Sequence, residues 1–93
     1  MEYEIRLNTI ESRFEALHMG KVIGFVTFFV REDKSMVVPH TEVNAEYEGQ
    51  GIAGALTKDL LDYARENSFP VEPLCPYTKT YITRHPEYQD LVK

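Results

Sequence analysis

The sequence predicts an α+β domain: a mixed, mainly antiparallel sheet with one crossover helix, in the order ββββαβα. Three observations carry that prediction. Residues 1 to about 45 show strand-type alternation and runs of β-branched and aromatic residues. A glycine cluster at Gly49, Gly51 and Gly54 then opens one long stretch of helical period. A short apolar run and a second, shorter helical segment close the chain.

Tyr3, Ile5 and Leu7 alternate with Glu4 and Arg6, as in a half-buried strand. Phe14, Ala16 and His18 alternate in a second strand. Met19-Gly20-Lys21 is a short polar turn, so the next strand folds back as a hairpin. Val22 to Val30 is almost continuously apolar, which predicts a central strand covered on both faces. Met36 to Val43 predicts a fourth strand. Pro39 interrupts it and demands an edge or a bulge, because proline cannot donate to a ladder. Gly51 to Asn67 reads as the long helix, with Ala53, Leu56, Leu60 and Ala64 on one face. Val71 to Leu74 is a fifth strand, parallel to the fourth across the helical crossover. Pro76 suits the first turn of a second helix running from Tyr77 to Thr83. His85-Pro86 breaks that helix, and Glu87 to Val92 forms a last turn or two.

The 93 residues predict one domain, 1–93, with no second lobe. Hydrophobic residues at 43% and charged residues at 27% fit a globular chain rather than a disordered one. Fifteen acidic against ten basic side chains, net charge −5, argue against nucleic-acid and anionic-membrane partners, which need a basic face. The single cysteine, Cys75, allows no internal disulfide and points to a reducing, cytoplasmic setting. The start Met1-Glu2-Tyr3-Glu4 lacks the pattern of a signal peptide. Val22–Val30 is far shorter than the ~20 residues a membrane helix needs. His18, His40, His85 and Cys75 are scattered, so no metal site is expected.

Gly49, Gly51 and Gly54 precede and open the long helix. Backbone N–H groups at a helix start, aided by its dipole, favour phosphate. A ligand-free tight connection satisfies the same letters. They also satisfy the dinucleotide fingerprint, with Glu72 about 20 residues on as the ribose acid. Context weighs against that reading, which stays as a minor alternative. The glycines follow an antiparallel meander rather than a first βαβ strand, and only 21 residues remain after Glu72.

The segment from Val43 to Leu56 resembles motif A of the GNAT superfamily of N-acetyltransferases, whose pattern is Gln/Arg-x-x-Gly-x-Gly/Ala. Here it reads Glu48-Gly49-Gln50-Gly51-Ile52-Ala53. Pro39-His40-Thr41-Glu42-Val43, Pro73-Leu74-Cys75-Pro76-Tyr77 and Tyr81-Ile82-Thr83-Arg84-His85-Pro86-Glu87-Tyr88 extend the likeness to minimal single-domain members over nearly the whole chain. The resemblance implies the small GNAT fold, acetyl-CoA as donor and an amine as acceptor. The donor's pyrophosphate would lie on the N–H groups of Gly49, Gln50, Gly51, Ile52, Ala53 and Gly54. Its pantetheine arm would pair with backbone at Glu42 and Val43, in the splay between the fourth and fifth strands. Lys79, Tyr81 and Arg84 are further CoA-binding candidates. Glu48 departs from the family's Gln or Arg; a carboxylate beside pyrophosphate lowers affinity unless it points away. Only Asn8 to Ser12 separates strands one and two, where larger members place two helices, so the acceptor side should be open.

Within that resemblance, His40 is the candidate base, because an imidazole titrates near neutrality. Tyr77 and Tyr81, four apart on one face of the second helix, are both candidate proton donors to the departing sulfur, with Tyr77 put first. Cys75, just before the second helix, is either a covalent acetyl carrier or a lining residue; a helix dipole favours its thiolate. The first expectation is direct transfer to an amine, with cationic acceptors favoured by the chain's net charge. The alternatives are a non-catalytic acyl-CoA-binding or sensing module, and an interaction domain with a degenerate site.

Overall fold

The computed structural model describes residues 1–93. β1 (Glu4–Asn8), β2 (Arg13–His18) and β3 (Lys21–Thr27) form an antiparallel meander, and β6 (Thr41–Val43) pairs antiparallel with β3. A second, smaller sheet holds β4 (Phe29–Val30), β5 (Met36–Val38) and β7 (Val71–Pro73), in that spatial order. Helix α1 (Ile52–Glu66) crosses over to β7, and α2 (Pro76–Arg84) follows it. A 3₁₀ turn at Ala45–Tyr47 precedes the glycines, and another at Pro86–Leu91 closes the chain.

The predicted element order survives, with two strands each divided. The third predicted strand, Val22–Val30, is β3 and β4, separated at Phe28. The fourth, Met36–Val43, is β5 and β6, separated at Pro39-His40. The break lies in the backbone hydrogen bonds. Thr27 N–H bonds His40 O at 2.9 Å, but Phe28 N–H turns to Ser12 O. Pro39 has no N–H to continue the ladder. The expectation of a strand covered on both faces along Val22–Val30 is therefore incorrect at its end, where Phe29 and Val30 lie exposed on an edge strand. The parallel pairing is present, but only β5 takes part, with Val37 opposite Glu72.

The turn between β2 and β3 places Met19 at φ 53° and Gly20 at φ 77°, the doubly left-handed turn that matches hairpin twist. A bulge opposite Ala16 and Leu17 follows, and Ile23 is the extra residue. Ile23 thus joins Gly24 and Val26 beneath α1. There Ile52, Leu56, Leu60, Leu61 and Ala64 pack on Phe14, Ala16, Ile23 and Val26 in one continuous core. Thr57 is buried in the same face and satisfies itself by donating to Ala53 O at 2.8 Å. No helix is long and apolar enough to cross a membrane.

Candidate active site

The glycine loop sets the site's first wall. Gly49 and Gly51 have φ of 83° and 77°, which only glycine adopts without strain. A Cβ at either would meet nothing within 4 Å, so backbone angle and not crowding requires glycine there. Gly51 caps α1 without a side chain, and no acidic residue stands in the first turn. The N–H groups of Ile52, Ala53 and Gly54 are left without intrahelical partners, since the ladder starts at Ala55 N–H to Gly51 O, 3.0 Å. A pocket of about 220 Å³ lies over them. Its other walls are Val43, Tyr47, Glu48 and Tyr77. This concave, donor-rich helix start fits a phosphate-bearing ligand, with the Glu48 carboxylate on its wall as the opposing charge.

The divided fourth strand sets the second wall. Asn44 N–H bonds Ile23 O at 2.9 Å, as Thr27 N–H bonds His40 O. In an antiparallel ladder such pairs alternate, so Phe25 and Glu42 form the hydrogen-bonded pair between them. Val43 and Thr41 consequently turn their N–H and C=O groups away from β3, into the opening between β6 and the end of β7. Val43 therefore leaves its N–H and C=O open to an extended ligand. Glu42 does not, because its backbone is engaged with Phe25; this corrects the sequence-based expectation.

Across the opening, Leu74 and Cys75 both donate their N–H to Val38 O, at 3.1 and 2.9 Å. This grip fixes Cys75 as the cap of α2, with Pro76 at the first helical position. Cys75 is only 5% exposed. Its sulfur lies 3.4 Å from Thr41 Oγ1. Burial pushes the thiol up, but the hydroxyls of Thr41 and Thr78 and the N–H groups of Thr78 and Tyr77 outweigh it and hold the thiol below its ordinary value. The Thr78 hydroxyl, on the same first turn, is buried and has no hydrogen-bond partner other than that sulfur.

Tyr77 lies on the glycine pocket, 42% exposed. A Cβ on Gly54 would come within 3.4 Å of its hydroxyl and 3.7 Å of the Tyr81 ring, so α2 crosses α1 where a side chain is absent. Burial raises the Tyr77 phenol above its usual value, with Arg84 pulling the other way. At neutral pH it carries its proton. Tyr81 stands beside Tyr77, ring centroids 6.5 Å apart, and stacks on His85 at 3.8 Å. Arg84 continues that face. Lys79 does not: it is turned roughly 200° from Tyr77 about the helix axis. It lines a different groove with Glu72, Leu74 and Ile82. The expected grouping of Lys79 with the other CoA-binding candidates is thus not what α2 produces.

His40 sits at the break between β5 and β6, its side chain 57% exposed. It faces away from Thr41, on the sheet surface opposite α1, with its ring 6.0 Å from that of Phe25. Its Nε2 is 3.2 Å from Glu42 Oε1. A carboxylate only accepts, so in the neutral ring Nε2 carries the hydrogen and Nδ1 holds the free lone pair. Gln50 is exposed at the loop's tip. Thr41, Tyr47 and Thr78 were missed by sequence reasoning. The alternation from Pro39 onward, which puts Thr41 and Val43 on one face, was the available signal for the first.

The chain is similar to proteins already known. The sequence pattern of the GCN5-related N-acetyl-transferase family matches residues 13–91. The chain is 30% identical to Protein NATD1 of Mus musculus over 87 residues, 91% of this chain and 68% of that one. Among solved structures it is similar to a GCN5-like protein from Staphylococcus aureus, with TM-score 0.75 and 25% identity over 97% of this chain and 87% of the other. It also shares its fold with a GNAT family acetyltransferase from Elizabethkingia anophelis solved with acetyl-CoA bound, TM-score 0.62 at 17% identity, covering 85% of this chain and 54% of that one. The fold and site define a GNAT-type acyltransferase domain. The chain belongs to the GCN5-related N-acetyl-transferase family.

Proposed function

We propose that the protein transfers acetyl from acetyl-CoA to an amine. The observation that carries this reading is the continuity of one pocket from the unpaired N–H groups of Ile52–Gly54, past Val43, to the Tyr77 hydroxyl. Bound acetyl-CoA would supply an activated acyl carbon and a leaving thiolate. The N–H groups of the first turn of α1 hold its pyrophosphate, and the outward backbone of Val43 pairs with its amide-bearing arm. His40 Nδ1 takes the proton of the attacking amine, directly or through water. The nitrogen–carbon bond forms as the carbon–sulfur bond breaks, and Tyr77 Oη gives its proton to the departing sulfur. The free thiol of Cys75 is compatible with a reducing cytoplasm as the working compartment.

A second route is favoured by one observation: Cys75 caps α2 with its thiol held low by Thr41 and by backbone N–H groups. The thiolate would attack the acetyl carbon and expel the CoA thiolate, which takes up a proton. An amine would then displace Cys75 from the resulting thioester. Thiol release from acetyl-CoA in the presence of a panel of amines tests the reading. His40→Ala should lower turnover far more than acetyl-CoA affinity. Equal loss of both would assign His40 a structural role, and tight acetyl-CoA binding with no thiol release across the panel would establish a binding module instead.

A further inference from the structure

No helix is inserted over the sheet face opposite α1, because β1 passes to β2 through only Thr9–Ser12. Its charges are unevenly matched. Glu15 is buried there, taking hydrogen bonds from Arg13 at 2.7 Å and Asn8 at 3.1 Å, with Arg6 at 3.8 Å. Arg13 is thereby committed to Glu15, and Arg6 adds its charge to the same carboxylate. The Arg13 guanidinium lies 4.4 Å over Phe25, and Phe25 faces His40. Glu42 closes this row beside the base. Its side chain is 57% exposed, and its ion-pair partner is His40 alone, which is neutral when it serves as base.

We propose that Glu42 is an anchor for a second positive charge on the acceptor, so that the preferred acceptor is an amine carrying another cationic group. This rests on the acetyl-transfer reading. The reacting nitrogen must arrive neutral at His40 Nδ1. The only formal charge left unmatched at that position is the Glu42 carboxylate, which holds His40 through Oε1 and keeps Oε2 free. The Phe25 ring, flanked by His40, offers an apolar surface for the carbons linking the two nitrogens. A free diamine and a lysine with a basic neighbour in a peptide present the same chemistry.

The test compares native protein with Glu42→Gln, whose amide oxygen still accepts from His40 Nε2. Thiol release from acetyl-CoA is measured with putrescine, with butylamine, and with lysine peptides bearing or lacking a second lysine. Acetyl-CoA affinity is measured in parallel by calorimetry. The native protein should prefer the doubly basic member of each pair in kcat/KM. Glu42→Gln should reduce that preference by roughly threefold to fivefold, the scale of one exposed ion pair. Added salt should shrink the native preference. Preference in the diamine pair alone assigns a small-molecule acceptor, and in the peptide pair alone a polypeptide. Equal preference in native and Glu42→Gln proteins overturns the inference while leaving acetyl transfer intact. Absence of acetyl-CoA binding overturns both.

Discussion

Cys75 Sγ and Thr41 Oγ1 meet at 3.4 Å across the opening between β6 and the start of α2, although 34 residues separate them in the chain. The contact ties the two halves of the divided sheet together at the point where their strands diverge. It also gives the thiol a hydroxyl partner in an otherwise enclosed site.

Thr41→Val keeps the shape and removes that partner. Burial, the largest influence on Cys75, then acts with less opposition, so the thiol must titrate at higher pH than in the native protein. Thiolate ultraviolet absorbance followed against pH checks this, and an unchanged curve would assign the low thiol to the first turn of α2 alone, its N–H groups and the Thr78 hydroxyl. Mass spectrometry after incubation with acetyl-CoA decides the route: an adduct lost in Cys75→Ala supports the two-step route, and none in the native protein supports direct transfer.

Gly51 and Gly54 should respond oppositely to alanine. Gly51 is left-handed at φ 77°, so Gly51→Ala should cost about 1–2 kcal/mol. Gly54 is helical, so Gly54→Ala should gain up to ~1 kcal/mol of helix propensity while pressing on the Tyr77 hydroxyl. Urea denaturation gives the signs. Weaker acetyl-CoA binding in the more stable Gly54→Ala protein would establish that this glycine serves the pocket and not the fold.

Glu48 borders the glycine pocket at the positive end of α1, where a bound pyrophosphate must share space with its carboxylate. Glu48→Gln should tighten CoA by roughly twofold to fivefold, the worth of one charge near a helix terminus. The gain should fade in high salt. No change in affinity would mean that the carboxylate points away from the ligand.

Glu15 makes stability depend on acid. Burial raises its carboxyl, but Arg13 and Asn8, with the charge of Arg6, more than reverse this and leave it below the usual range. A folded-state value below the unfolded one gives stability that is fully present above the unfolded value. That stability is lost as pH falls through the folded one. Melting should therefore weaken below about pH 4. Glu15→Gln should flatten that limb and cost about 1–2 kcal/mol at neutral pH, since Arg13 loses its partner. An acid limb equally steep in Glu15→Gln would locate the effect elsewhere.

Period and composition made the strands, both helices and the glycine loop legible, because each is a local pattern. The division of the third and fourth strands was half legible. Pro39 announces an interruption, but which sheet each fragment joins depends on Phe28 turning its N–H to Ser12, a long-range choice. The engagement of Glu42 with Phe25 could not be read from the chain, since register fixes it. His40, Cys75 and Tyr77 were picked out from the family resemblance. Thr41 and Thr78 were not, because a threonine in a strand or a helix carries no local mark of the sulfur it faces.

The central claim is that the loop Gly49–Gly54 and the opening beside Val43 hold acetyl-CoA for transfer. Calorimetric titration with acetyl-CoA tests it most directly. One-to-one saturable binding is predicted, weakened in Gly51→Ala through the altered loop. No heat of binding at millimolar acetyl-CoA, from a protein shown to be folded, would contradict it.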